Sequence, residues 1–207
     1  MSIILAVCTA YVIGSIPSGY LIAQFSKGID IRDFGSGNIG TTNVFRTLGL
    51  GPGIATLAFD MMKGFLPIMA VRAFLPDAHI LHLLTGFAAI SGHNWSIFLN
   101  FKGGKGVATA AGVFFGILTL PTFVSLIVFI VVFIASRYVS LASISASATL
   151  PLATLIFGKP LILVLFAFII CGLIIYKHWP NIQRLREGKE NRFDFSKSFF
   201  AKDKPST

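Results

Sequence analysis

Apolar residues in this chain run in long, unbroken stretches separated by short polar connections, with no period-two alternation, and that pattern predicts helices rather than strands. The first stretch, Ile3 to Phe25, is long enough to cross a bilayer. No Lys or Arg precedes it, so it reads as a retained helix rather than a cleaved leader with a basic start. Its Gly14-Ser15-Ile16-Pro17-Ser18-Gly19 run should bend the helix and let a neighbour pack closely. Further stretches follow at Gly51–Leu75, His79–Phe98, Val107–Leu120, Thr122–Ala135, Val139–Phe157 and Leu161–Tyr176, of which Val107–Leu120 and Thr122–Ala135 are short for a crossing. The fold expected is therefore all-α and membrane-integral, with seven transmembrane helices in one domain over residues 1–193 and a polar cytoplasmic tail over 194–207.

Composition strengthens the membrane reading. A chain of 207 residues that is 55% apolar and 12% charged has more apolar surface than a soluble core of its size can hide. The net charge of +9 does not point to nucleic acid, because the Lys and Arg residues lie between and after the apolar stretches. With seven crossings, Lys27, Arg32, Arg46, Lys102, Lys105, Arg137 and the basic residues of the tail share one face, and Arg72 and Lys159 take the other. The positive-inside tendency makes the richer face cytoplasmic and leaves the N-terminus outside. Cys8 and Cys171 sit inside apolar stretches and read as packing residues, not as a disulfide or a metal pair.

Polar residues concentrate in three places, all on that basic face. The first is Gly35–Arg46, GSGNIGTTNVFR. Gly35, Gly37 and Gly40 allow backbone N–H groups to turn toward one point, and Ser36, Asn38, Thr41, Thr42 and Asn43 surround it with short hydrogen-bonding groups. Arg46 adds a fixed cation, and a helix capped by Thr41 or Thr42 would add its dipole, which together make an anion cradle. The second place is GHNWSIFLNFKGGKGVAT, where Gly103, Gly104 and Gly106 flank Lys105 just before a helical run. It lacks the spacing and the hydroxyl of a Walker A loop. Lys102 there can equally be a plain interfacial anchor, and His93 can equally be a buried hydrogen-bonding residue. The third place follows the last apolar stretch and carries His178, Asn181, Arg184 and Glu190. Inside the second stretch, Asp60 and Lys63 share a helical face, either as a pair locking helices together or with Lys63 reaching an anion near the loop. Ser143 can face the site or back-bond to its helix.

Together these clusters resemble the bacterial acyl-phosphate:glycerol-3-phosphate acyltransferase family, and the resemblance spans nearly the whole chain. It implies a multi-pass enzyme of the bacterial cytoplasmic (inner) membrane, with seven helices and one site at the cytosolic boundary. Its substrates would be acyl phosphate and glycerol 3-phosphate, and its products 1-acyl-glycerol 3-phosphate and phosphate. No cofactor, metal or nucleic acid is implied, and the soluble enzyme that makes acyl phosphate is an implied partner. By the same resemblance Ser36, Arg46, Lys105, His178 and Asn181 carry catalysis. Gly35, Gly37, Asn38, Gly40, Thr41, Thr42, Asn43, Lys63, His93, Gly103, Gly104, Gly106, Ser143 and Glu190 are implied to bind substrate. Trp179-Pro180 departs from the Arg-Glu frequent after the tail histidine, and Ile39 from a frequent proline, so no role of an acidic neighbour of His178 carries over.

Rival classes fit less well. A transporter should hold its polar site near the bilayer midplane between repeated halves. A magnesium-dependent phosphotransferase needs clustered carboxylates, whereas only Asp60 lies inside a stretch. A passive scaffold leaves three anion-suited clusters unexplained. No His of this chain has an Asp five positions later, the pair that thioester-using glycerolipid acyltransferases resemble one another in, and this favours a donor with a good anionic leaving group.

Overall fold

The computed structural model describes residues 3–194, and among these every regular element is helical. The helices are α1 (Ile3–Ser15), α2 (Ser18–Lys27), α3 (Thr41–Leu48), α4 (Leu50–Phe74), α5 (His79–Asn94), α6 (Val107–Ile117), α7 (Thr119–Ser136), α8 (Val139–Ile156), α9 (Leu161–Lys177) and α10 (Trp179–Arg186). Four units are long and apolar enough to cross a membrane: Ile3–Lys27 taken across its break, α4, α7 and α8. α9 and α10 form a fifth if their 58° bend is counted within one span. α5 and α6 are shorter, with lengths of about 24 and 16 Å. The expected tail domain, apart from Asp194, lies outside the described residues.

Several expected boundaries move for local reasons. The bend foreseen in the first stretch is a complete break at Ile16-Pro17, where proline has no N–H to continue the ladder. Two side chains satisfy the carbonyls this exposes: Ser96 Oγ donates to Ser15 at 2.5 Å and Lys63 Nζ to Ile16 at 2.8 Å. The third stretch stops being helical at Asn94, and Trp95–Phe101 turns back with Asn100 and Phe101 at positive φ. α6 is only eleven residues, and a single residue, Leu118, separates it from α7.

Close helix approach organises the interior. α1 packs on α5 and α4 on α6. A Cβ on Gly14 would stand 2.1 Å from the Ala89 carbonyl oxygen, and one on Gly92 2.2 Å from that of Tyr11. The second pair repeats the device, with Gly64 against the Thr109 carbonyl and Gly112 against that of Met61. Without a hydrophobic drive between helices in lipid, such backbone contact is a main source of association. The core behind these contacts holds Ile68, Ile90, Val113, Phe114, Leu118 and Ile170. Outward faces are apolar too: α7 exposes Phe123, Ile127, Val131 and Ile134, as a lipid-facing helix must.

The polar connections gather at one end of this bundle. Phe193 N–H donates to the Arg137 carbonyl at 2.8 Å, which ties the segment after α10 to the α7–α8 turn. Lys177 Nζ reaches the Asn94 carbonyl at 3.1 Å and lies over the Trp95 ring, which joins the end of α9 to the end of α5.

The packing sets a direct test. Gly112→Val should lower the melting temperature of the detergent-purified protein sharply or abolish its accumulation, since overpacking against backbone costs about 1–3 kcal/mol or more. Gly172→Val, where an added Cβ meets nothing within 4 Å, should melt within a few degrees of the parent, as measured by a thermal-shift assay. Equal loss in both variants would show that the close approach is not what matters.

Candidate active site

The first loop owes its shape to Asn43, which is buried and uses its whole amide. Its Nδ2 donates to the carbonyls of Ile31, Phe34 and Asn38, and its Oδ1 accepts from Ser36 N–H at 2.9 Å. Asn38 Oδ1 accepts from Gly40 N–H at 2.8 Å. Gly35 has φ +60, and a Cβ there would strike Asn43 Oδ1. Asn43 is thus the internal strut of the loop, and it also lines the cavity on which the loop opens. Gly40, not Thr41 or Thr42, is the N-cap of α3, and having no side chain it offers the first turn no capping acceptor, while its own N–H donates to Asn38 Oδ1. That corrects the expected threonine cap. Thr41 Oγ1 is buried without a hydrogen-bond partner, and the Asn43 N–H turns back to the Gly40 carbonyl at 3.0 Å.

The second loop is moulded onto the end of α5. Gly104 N–H donates to the His93 carbonyl at 2.9 Å. A Cβ on Gly103 would meet that carbonyl oxygen at 2.0 Å, and one on Gly104 would meet His93 Nε2 at 2.1 Å. These glycines therefore press the loop against α5 and carry Lys105 forward. Lys105 Nζ donates to Asn181 Oδ1 at 2.5 Å, whereas Lys102 is exposed.

The third cluster folds back on itself. Gly188, at φ +66, turns the chain so that Glu190 returns beneath α10. Its carboxylate accepts from Asn181 Nδ2, Ser140 Oγ and Arg184 Nε, each at 2.7 Å. Burial tends to raise the Glu190 pKa, but these hydrogen bonds and the Arg184 charge hold it below the ordinary range. Burial lowers the Lys105 pKa to about 8, opposed by Glu190 and assisted by Arg184, Arg46 and Lys177. Arg46 is likewise lowered by burial, with Glu190 opposing. His178, one residue past α9, is brought down to about 4 by burial and by Lys105. Its Nδ1 lies 2.8 Å from the Ile174 carbonyl, so a neutral ring carries its proton there and leaves Nε2 bare.

All three clusters open on one cavity of about 680 Å³. Its polar end is lined by Ser36, Asn38, Gly40, Thr41, Thr42, Asn43, Arg46, Lys105, Gly106, Ser143, His178, Asn181, Arg184 and Glu190. His93 and Asp60 line it as well. Gly35, Gly37, Gly103 and Gly104 stand behind the wall and shape it. Lys63 also stands behind, 2.7 Å from Asp60 Oδ1 and bonded to the Ile16 carbonyl. Its geometry is that of the helix-locking pair. Ser143 Oγ back-bonds to Val139 at 2.8 Å while still facing the cavity.

Two features go beyond the site residues assigned from sequence. Arg184, named there only as a member of the third cluster, shares a helical face with Asn181 at i,i+3, and its place at the cavity depends on Glu190 returning. The other feature is the apolar half of the cavity, between α6, α7, α8 and α9, where Ala111, Leu126, Phe129, Ala146, Leu150 and Ile170 continue directly from the polar end. Residues that look like ordinary membrane-helix sequence give no local sign of lining a cavity.

The glycerol-3-phosphate acyltransferase family profile matches residues 4–188. A glycerol-3-phosphate acyltransferase of Desulforudis audaxviator is 48% identical over 95% of this chain and 98% of its own length. One from Aquifex aeolicus is 44% identical over 93% of this chain and 100% of its own. Among solved structures, the crystal structure of PlsY, an integral membrane glycerol 3-phosphate acyltransferase, in its glycerol 3-phosphate form superposes with a TM-score of 0.88 at 44% identity, covering 94% of this chain and 96% of that one. Its lysophosphatidic acid form gives 0.86 at 42% identity, covering 96% and 98%. With its apolar helices and its three polar clusters on one cavity, this chain is an integral membrane protein that belongs to the glycerol-3-phosphate acyltransferase family.

Proposed function

We propose that this chain moves a fatty acyl group from acyl phosphate to the primary hydroxyl of glycerol 3-phosphate, releasing phosphate and giving 1-acyl-glycerol 3-phosphate. The observation that carries the reading is the continuity of one cavity from a cationic end to an apolar end. An acyl phosphate has the same two halves, and the acceptor brings a second phosphate to the cationic end. Arg46, Lys105 and Arg184, with the first turn of α3 and Ser36, supply the charge and N–H groups to hold phosphate.

In the reaction the hydroxyl oxygen bonds to the acyl carbon, the carbonyl re-forms, and the carbon–oxygen bond to phosphate breaks. Lys105, fixed by Asn181, stabilises the departing charge. His178 held near 4 is a weaker base than a phosphate monoester, whose second pKa is about 6, so the proton of the attacking hydroxyl passes to the acceptor's own phosphate. His178 then serves as a neutral hydrogen-bonding wall. The charges the protein itself brings to the phosphates are those of Arg46, Lys105 and Arg184. The donor would come from a separate soluble enzyme acting at the membrane surface.

We read the bundle as seven crossings of the bacterial inner membrane, with the cavity's polar end in the cytoplasm and the N-terminus outside. The end-on gathering of basic residues supports this. A cysteine placed at Asn191 should resist an impermeant thiol reagent in intact cells and label after permeabilisation. Labelling from outside would reverse the orientation.

Purified protein given palmitoyl phosphate and glycerol 3-phosphate should form lysophosphatidate, and palmitoyl-CoA in place of the acyl phosphate should not support turnover. Comparable rates with the thioester, read by mass spectrometry of the product, would sink the donor assignment. Lys105→Ala should lower kcat/KM by roughly a hundredfold or more, about 3 kcal/mol, while Lys102→Ala stays within about threefold. Because the Lys105 pKa is lowered to about 8, the cation is present below that pH and lost above it. The parent's kcat/KM should therefore fall as pH rises through about 8, and Lys105→Arg should remove that fall whatever its absolute rate.

A further inference from the structure

The apolar half of the cavity has a bore and a floor made of different kinds of residue. Along α8 the lining runs from Ser140 to Leu150, and along α7 from Phe133 back to Thr122, each about 15 to 16 Å at 1.5 Å per residue. On α9 it runs from Ile174 to Ile170, about 6 Å, with His178 just past the helix end, and on α6 from Val107 to Phe115, about 12 Å. The lining thus extends about 12 to 16 Å along α6, α7 and α8, and beyond it α8 and α9 are packed core, with Ala153, Ala167 and Phe166 buried. Small side chains line the bore on α6 and α8, among them Ala111, Ala146 and Ser147, while α7 contributes Ser125 together with Leu126, Phe129 and Phe133. Large ones close the floor: Leu150 is buried, as are Phe114 and Ile170, and Phe166 backs the Phe114 ring at 5.5 Å.

We propose that this slot is the chain-length gauge of the enzyme, with Ala111, Ala146 and Ser147 setting its width and Phe114, Leu150 and Ile170 its depth. The proposal rests on the acyl-transfer reading above. An extended alkyl chain advances roughly 1.25 Å per carbon, given a C–C bond of about 1.5 Å, so a slot of this depth holds roughly ten to thirteen carbons in line. Ala146 lies about 9 Å along α8 from Ser140, level with roughly the seventh carbon. A chain of eight carbons ends near Ala146, whereas a chain of sixteen passes it and must turn at the floor. The continuity of the slot with the cationic end points to its occupant: an acyl chain anchored by phosphate among Arg46, Lys105 and Arg184 meets apolar surroundings along the bore. The serines do not oppose such an occupant. Ser143, Ser147 and Ser125 all spend their hydroxyl protons on their own helix carbonyls, so the bore presents no free donor.

The test compares hexadecanoyl phosphate with octanoyl phosphate on purified protein and reads the ratio of their kcat/KM values, which cancels general loss of activity. Ala146→Phe should lower that ratio at least tenfold, and Leu150→Ala should raise it at least threefold. Leu155→Phe, on the lipid face of the same helix, should leave it unchanged. A ratio within twofold of the parent for Ala146→Phe, or an equal shift for Leu155→Phe, would overturn the gauge. A palmitic acid probe carrying a mid-chain diazirine reads the slot without turnover. It should label α6 and α8 peptides in the parent and lose that label in Ala146→Phe. Labelling that Ala146→Phe does not change overturns the slot whatever the donor. Slot labelling without turnover of either acyl phosphate upholds the slot and overturns only the donor reading.

Discussion

A carboxylate buried among helices has to be paired, and the pairing of Asp60 with Lys63 is the constraint on which the polar half of this molecule depends. Both side chains are almost wholly removed from solvent. Lys63 spends a second hydrogen bond on the Ile16 carbonyl, left open where Pro17 ends α1. Asp60 also lies 3.6 Å from His93 Nδ1, whose ring is wedged beneath Gly104. One ion pair on α4 therefore touches the break that sends α2 toward the first loop and the histidine that supports the second. Removing either partner would strand a charge in the interior, a cost of about 3–5 kcal/mol, which is large beside the margin of most folds.

The anion-facing groups are held by residues that do not themselves face an anion. Asn43 spends all of its amide on the first loop, and Glu190 spends both oxygens on Ser140, Asn181 and Arg184. A carboxylate among the cations of the proposed phosphate site looks like a contradiction, yet here it works as a fastener. It orders Asn181, which in turn fixes Lys105, and it offsets part of the mutual repulsion among Arg46, Lys105 and Arg184. The result is that Lys105 and Arg184 are held in place before any ligand arrives, which is what electrostatic stabilisation of developing charge requires.

The same bundle has to present two solvents to one molecule. Its polar end is built from loops because only irregular backbone can turn several N–H groups inward, and such backbone is tolerated at this depth only against protein or a cavity. Its apolar end is built from helix faces whose small residues leave room. The short α6 makes the junction. It begins at Gly106 beside Lys105 and ends at the core, so a single helix runs from charge to oil.

Much of this was legible in the sequence. The apolar stretches announced helices in lipid, the basic asymmetry put three clusters on one face, and the motifs carried the family. Those are properties of composition and short spacing, and they do not depend on how the helices pack. Tertiary structure decided the rest. That Lys63 locks a helix break, that Asn43 is a strut, that Gly103 and Gly104 serve packing on His93, and that Arg184 joins the site through Glu190 all depend on partners distant along the chain. The apolar slot is the extreme case: Ala111, Ala146 and Ile170 have the chemistry of any membrane helix, and only the gap left when four helices fail to meet gives them a common purpose.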